Sequence, residues 1–337
     1  MMWLQQFLYQ HLGGWFRAEG LTERDVAGDV VALGSVVAGF AFVLVVSALG
    51  RSLAKDTTHE KSVPWLVTLL LLTQGYALLF FGYIENYTFY TLFVAAYLLT
   101  AVLHLQGRLT MQVVVLVYLT GLALHLSMIA LLPSLLFLLA RGVYRRDTRI
   151  AAATAVGVLV AGLLLVDWLF GRMSADFGLW KGIGNIVKIA RESQGGGFGL
   201  AYWFSPVHLR DFLNEHFLIG PLAAFLLIPA LIYAGRTLAD KRSGFGDTAI
   251  FFALASLSYL AGSFTMSEPL LGYARDWDLF APAGVCYTTV GVYFLIQHVK
   301  SSETVSRLLA FALIFSLLQL APWVHINHSE SLSLERF

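Results

Sequence analysis

Apolar runs of about twenty residues, the length a helix needs to cross the hydrocarbon of a bilayer, recur along this chain between short polar corners. The first stretch is different. Trp3, Leu4, Phe7, Leu8, His11, Leu12, Trp15 and Phe16 recur at three- and four-residue steps, the stripe of an amphipathic helix lying in an interface. Residues 1–28 are therefore read as an amphipathic lead-in outside the membrane. A first crossing follows from Asp29 to Leu49, then a polar connection with Arg51, Lys55 and Lys61. Pro64 suits a first helical turn and opens a second crossing that runs to Ile84. Glu85, Asn86 and Tyr87 form a tight corner before a third crossing over Thr88 to Leu105, and Gln106 to Thr110 turn the chain again.

The run from Gln112 to Ala140 is too long for one untilted crossing and short for two full ones. The distribution of Lys and Arg decides it. Arg141, Arg145, Arg146 and Arg149 form the densest basic loop in the chain, and only a hairpin, bending near Leu124–Ser127 or at Pro133, returns them to the side of Arg108. Crossings then follow over Ile150–Phe170, His216–Ala234, Asp247–Met266, Phe280–His298 and Leu308–Ile326. A long loop over residues 171–215 lies outside, and an outside tail covers residues 327–337. The pattern thus predicts an all-α polytopic membrane protein of about ten transmembrane segments, including the short hairpin at 112–140, with a bundle over residues 29–326 and amphipathic helices on its outside face.

Composition agrees. Of 337 residues, 58% are hydrophobic and 13% charged, against about half and a quarter in soluble domains. Alternating segments of a β-barrel are absent from the pattern. A net charge of +1 supplies no basic surface for nucleic acid. Cys286 is the only cysteine, which excludes a disulfide framework or a cysteine metal site.

Polar side chains collect on the predicted outside face. Charge near lipid is costly unless water or partners serve it, so each group carries two readings. Glu85 and Asn86 either cap the third crossing or hold a carboxylate at the membrane surface. His125 is either packed and hydrogen-bonded within apolar sequence or, at the hairpin bend, in contact with a ligand. Gly195, Gly196 and Gly197 read as a flexible loop or lid. His208, Asp211 and Glu215 share one face of a helix that opens at Pro206, passes Asn214 and lies at the surface before the next crossing. Residues 267–280 concentrate Glu268, Arg275, Asp276 and Asp278. If the backbone there is extended, Asp276 and Asp278 point the same way and could share a divalent cation or a pair of sugar hydroxyls. If it is helical, Asp278 caps the next crossing. Arg275 could fork onto a phosphate or neutralise Asp276.

Several of these stretches resemble the glycosyltransferase C superfamily, membrane enzymes that use polyprenyl-phosphate sugars. They are the amphipathic start Trp3–Phe16, the entry Arg24–Gly39 and the hairpin Leu122–Ser134. Gly82-Tyr83-Ile84-Glu85-Asn86-Tyr87, the His208–Asn214 helix and Arg275-Asp276-Trp277-Asp278-Leu279-Phe280 are similar to bacterial members. The resemblance implies a multi-pass protein of the bacterial inner membrane with a cavity on its outside face. There a lipid-linked sugar donor would meet an acceptor whose hydroxyl loses its proton to a carboxylate. The superfamily's usual catalytic acid follows a first span that has no counterpart here, and this chain reads as starting within that first outside loop. Glu85, Asp276 and Asp278 are the carboxylates left for catalysis, with Asn86, His125, His208, Asp211, Asn214 and Arg275 binding substrate. Two other readings compete: a transporter or flippase for a lipid or small solute, and a non-catalytic scaffold or partner subunit.

Overall fold

The computed structural model describes residues 2–18, 21–55, 57, 61–84, 87–145, 148–173, 178–192, 200–239, 246–265 and 277–329. Of the described residues 88% are helical, and none of them is in a strand. The helices are α1 (Met2–Phe16), α2 (Glu23–Ala54), α3 (Val63–Leu72), α4 (Tyr87–Leu105), α5 (Met111–Leu124), α6 (Leu132–Tyr144) and α7 (Arg149–Met173). They continue with α8 (Leu179–Glu192), α9 (Leu200–Trp203), α10 (Pro206–Ile219), α11 (Ala223–Ala239), α12 (Asp247–Thr265), α13 (Trp277–His298) and α14 (Ser302–His328). Two 3-10 turns, Gly75–Phe80 and Leu126–Leu131, precede α4 and α6.

Among the described residues, seven helices are long and apolar enough to cross a membrane: α2, α4, α6 with its preceding 3-10 turn, α7, α12, α13 and α14. The protein is an all-α polytopic membrane protein. The remaining three of the ten expected segments fall on shorter elements. One is α3 with its following 3-10 turn, and the others are α5 and α11.

Local sequence explains several of the helix ends. Thr22 and Asp25 cap α2 reciprocally: the Asp25 N–H donates to Thr22 Oγ1, and the Thr22 N–H to Asp25 Oδ2 at 2.8 Å. This cap starts α2 six residues before the expected crossing at Asp29. Ser205 and Ser301 cap α10 and α14 by accepting from His208 and Thr304 N–H groups. Gly107, at φ +72°, closes α4. It lets the Arg108 N–H reach the Leu103 carbonyl at 2.8 Å and the Gly107 N–H that of His104 at 2.9 Å, the paired bonds of a Schellman end.

The hairpin forms as expected. Gln112 at the start of α5 donates to the Ala151 carbonyl and Thr154 on α7, and Leu119 packs on Gly162 further along, so α5 and α7 run parallel. Gly142 near the end of α6 meets Ala152 at the start of α7, so α6 runs the other way. The bend lies at His125, where the backbone is extended, and the 3-10 turn Leu126–Leu131 carries the chain into α6.

Contacts between helices define two ends of the bundle. At the arginine end, Arg141 and Arg145 of the α6 region both pair with Asp247 of α12, at 2.5 and 3.2 Å. At the opposite end, called the His125 end, the His125 ring stacks on Tyr90 of α4.

The second crossing differs from expectation. It breaks at Thr73 and Gln74 into α3 and a 3-10 turn. Gln74 is fully buried there, and its side-chain amide donates to the Leu70 carbonyl and to Ser316 of α14, at 2.9 and 2.8 Å. An apolar reading of the run had no reason to place an interruption in it, because the partner that stabilises the break lies on a distant helix.

Helix α13 stands at the centre. Its apolar window is 89% buried, against 22–50% for the other six crossing helices, and α3, α4, α10, α11 and α12 pack around it. The return expected from His216 is made of two pieces. Helix α10 continues to Ile219 and only then does α11 begin. The end of α10 enters the bundle because Gly75 leaves room for the Leu218 carbonyl, while Gly284 lies against the Ile219 carbonyl and the Tyr76 ring.

Gly75→Ala therefore places a methyl group onto a backbone oxygen and the Trp323 ring. It is expected to cost about 1–3 kcal/mol and lower the melting temperature in detergent. Gly157→Ala, which meets nothing within 4 Å, is expected to leave the melting temperature unchanged or slightly raised.

Candidate functional site at the His125 end

Two sequence motifs meet at this end. The Tyr83 hydroxyl, in the corner after the 3-10 turn Gly75–Phe80, donates to Asp278 Oδ2 at 2.8 Å. Asp278 lies in the first turn of α13 and is 3% exposed. Its other oxygen accepts the Leu279 N–H at 3.1 Å. Pro282 has no N–H to give the Asp278 carbonyl, so this turn lacks its usual i+4 bond. The ring of Trp277 lies edge-on to Tyr83 at 5.7 Å and to Trp323 at 4.8 Å. The helical alternative for Asp278 is thus the one observed, but with a difference. The carboxylate is turned into the protein instead of capping a helix towards water.

Of the other proposed catalytic and binding residues, Glu85, Asn86, Arg275 and Asp276 lie outside the described residues, as do Glu268 and Gly195–Gly197. The divalent-cation reading of the Asp276 and Asp278 pair rests on Asp276 and so falls there too. Among the described residues, no group of three His, Cys, Asp or Glu side chains is placed to hold a metal ion.

His125 caps its 3-10 turn: Nδ1 accepts the Ser127 N–H at 3.2 Å, which leaves Nε2 as the protonated nitrogen of the neutral ring. The ring stacks on Tyr90 at 4.8 Å and is tilted against Tyr87 at 5.3 Å. Tyr90 in turn shares a hydrogen bond with the Tyr259 hydroxyl of α12. His125 is thus packed and hydrogen-bonded to backbone, at the bend of the hairpin.

Helix α10 sorts its polar residues by face. His208 and Glu215, seven positions apart, are buried, whereas Asn214 is exposed and Asp211 pairs with its exposed neighbour Arg210 at 3.2 Å. The His208 Nε2–H donates to the Phe264 carbonyl at 2.9 Å, and rings of Tyr202 and Phe264 flank it. Burial pulls its imidazole below the usual value, partly offset by the Phe264 carbonyl and by Asp211. Of the three residues expected to share one face, His208 and Glu215 turn inward, whereas Asp211 pairs with Arg210 at the surface.

A second polar group lies deeper. Glu215 is fully buried, with Ser263 of α12 donating to its Oε1 at 3.5 Å. His216 Nε2 lies 3.0 Å from Ser263 Oγ and 3.7 Å from Glu215 Oε1. On its other side, His216 Nδ1 is 3.4 Å from the Tyr287 hydroxyl of α13, which also donates to the His216 carbonyl at 3.3 Å. Carboxylate, imidazole and two hydroxyls thus form a chain able to hold or relay a proton in the bundle. Ionisable groups so placed mark functional sites by default.

In the sequence Glu215 and His216 stand out only as outside-face residues, Tyr83 only as part of the Gly82–Tyr87 stretch, and Ser263 and Tyr287 not at all. The available signal was an acid and a histidine leading directly into an apolar run. Their partners are single hydroxyls within apolar helices, and these look ordinary until the helices pack.

Comparison with known protein families, with curated proteins and with solved structures finds no match to this chain.

His208 gives a pH prediction. A histidine whose folded value is lowered binds its proton more readily when unfolded, so stability rises with pH up to the unfolded value near 6.5. Acidification below pH 6.5 is expected to lower the melting temperature in detergent. The drop should be smaller in His208→Gln, and an equal drop in both proteins would count against a buried neutral ring.

Proposed function

We propose that this protein transfers a sugar from a polyprenyl-phosphate donor to an acceptor at the His125 end of the bundle. The observation that carries the reading is the Tyr83–Asp278 hydrogen bond. It joins the Gly82–Tyr87 and Arg275–Phe280 stretches, the two most specific points of resemblance to the glycosyltransferase C superfamily. His125, from the hairpin that supplies a third point of resemblance, packs on Tyr87 and Tyr90 beside the same corner. In this reading Asp278, held by Tyr83, together with Glu85 and Asp276, supplies the carboxylate that takes the acceptor's proton. Arg275 holds the donor phosphate. Asn86, His125, His208, Asp211 and Asn214 contribute around that centre. A divalent cation would sit between Asp276 and Asp278, lowering the charge of the lipid phosphate.

Membranes carrying the protein and given a radiolabelled polyprenyl-phosphate sugar are expected to transfer the label. Asp278→Asn should reduce transfer by about 100-fold or more, and Glu85→Gln or Asp276→Asn should reduce it sharply. Tyr83→Phe, which loses one buried hydrogen bond worth about 1 kcal/mol, should reduce it by about fivefold. Undiminished transfer in all three carboxylate variants would remove the site assignment.

A second reading, a transporter, draws on the broken element at Gln74 and on Glu215 and His216 near the end of α10. Interrupted helices with buried ionisable groups are the usual setting of a solute or proton site in a membrane carrier. Reconstituted vesicles distinguish the two. Uptake driven by a pH gradient and abolished by Glu215→Gln, with no sugar transfer, would favour the carrier.

A further inference from the structure

Four cations at the arginine end take no part in the ion pairs that hold the bundle. Arg51 and Lys55 close α2, Lys61 precedes α3, and Arg108 lies in the turn after α4. All four are exposed. Among the described residues none of these four side chains has an acidic partner or a hydrogen bond. Arg141 and Arg145, on the same face, are neutralised by Asp247. The C-terminal dipole of α2 favours Arg51 and Lys55, but it does not account for Lys61, which precedes the N-terminus of α3, or for Arg108.

The four surround two adjoining clefts. One, of about 400 Å³, is lined by Ala48, Arg51, Ser52, Lys55, Leu103 and Arg108. The other, of about 200 Å³, is lined by Ser47, Arg51, Lys61, Pro64, Trp65 and Thr68. Arg51 borders both. Trp65 is 63% exposed beside them, a side chain suited to the boundary between headgroups and acyl chains. Further along the α2–α3 seam an apolar groove of about 500 Å³ opens between Phe40 and Val43 of α2, Leu72 of α3, and Phe80 and Phe81. Val43 is eight residues from Arg51, about 12 Å along the helix, within the roughly 15 Å depth of one leaflet.

We propose that this surface binds an anionic phospholipid of the leaflet at the arginine end. Its phosphate would sit among Arg51, Lys55, Lys61 and Arg108, with one acyl chain following the α2–α3 seam into the groove at Phe40 and Val43. The headgroup supplies negative charge that no described residue brings to these four side chains. The groove supplies apolar surface at the depth where the chain of that same lipid lies. A free phosphate would use the cations and leave the groove unused. This site stands apart from the His125 end and does not depend on the activity proposed there.

The test uses the full chain, stripped of lipid in neutral detergent and presented with phosphatidylglycerol or phosphatidylcholine, with bound lipid counted by native mass spectrometry. Phosphatidylglycerol is expected to be retained at least tenfold more strongly. Retention should weaken about fivefold for each cation removed in Arg51→Gln and Arg51→Gln/Arg108→Gln, the equivalent of about 1 kcal/mol per basic residue. Arg145→Gln, with the same change of charge but a partner in Asp247, should retain the lipid as the parent does, and all these exposed positions allow folding to be checked by melting temperature. Equal retention of the two lipids, or undiminished retention in the double variant, would overturn the proposal. So would an equal loss in Arg145→Gln, which would mean general charge attraction, or complete displacement by inorganic phosphate at millimolar concentration, which would mean a small-anion site. A Leu substitution at Val43 or Phe40 that weakens phosphatidylglycerol retention without altering phosphate competition would support the acyl-chain half.

Discussion

The burial of α13 on nearly every side is the constraint on which the rest of this structure depends. A helix that faces lipid can leave its polar side chains to the interface, but one enclosed by other elements must satisfy them inside. Asp278 is met by Tyr83, Tyr287 by His216, and Thr289 bonds back to the Val285 carbonyl of its own helix. The enclosure also demands small residues where neighbours come close. Gly284 admits the Tyr76 ring and the end of α10, and a larger residue there would push out both.

The same enclosure couples the two ends of the protein to different kinds of chemistry. At the His125 end the backbone is irregular: two 3-10 turns, the extended residue His125 and a helix, α10, that enters without crossing. Non-helical backbone is tolerated at membrane depth only where protein or water satisfies it. Here Gln74, Ser316, His125 and Gln319 provide that satisfaction through side-chain bonds to backbone or to one another. These irregular segments carry the histidines and acids. The arginine end is built from regular helix termini and short turns, with its fixed ion pairs at Asp247 and its uncommitted cations on the opposite flank, around Arg51.

Much of this organisation is legible in the residues. The periodic apolar runs and the basic loop Arg141–Arg149 led to a hairpin at 112–140, and the packing of Gln112, Leu119 and Gly142 on α7 has that form. The amphipathic start became α1, which lies along α2 with Leu8 against Gly34 while Phe7 and Trp15 stay exposed. The candidate site was legible only as a list of polar residues on one face. Which of them point inward could not be read from spacing alone. On α10, an acid at 211 and an acid at 215 sit one turn apart, yet the first pairs at the surface and the second is fully buried.

By itself the sequence determined that this chain is a helical membrane protein, where most of its long apolar helices lie, and that its short basic loops gather at one end. Hydrophobic length and the placement of Lys and Arg are one-dimensional properties, and the bilayer reads them as such. Tertiary structure alone decided that the second crossing breaks at Gln74, that α10 enters the bundle, and that Tyr83 reaches Asp278. Each of those outcomes depends on a partner far away in the chain: Ser316 for Gln74, Gly75 for Leu218, and residue 83 for residue 278. A hydrogen bond or a close approach between such positions has no local signature, because its energy exists only once the helices have packed.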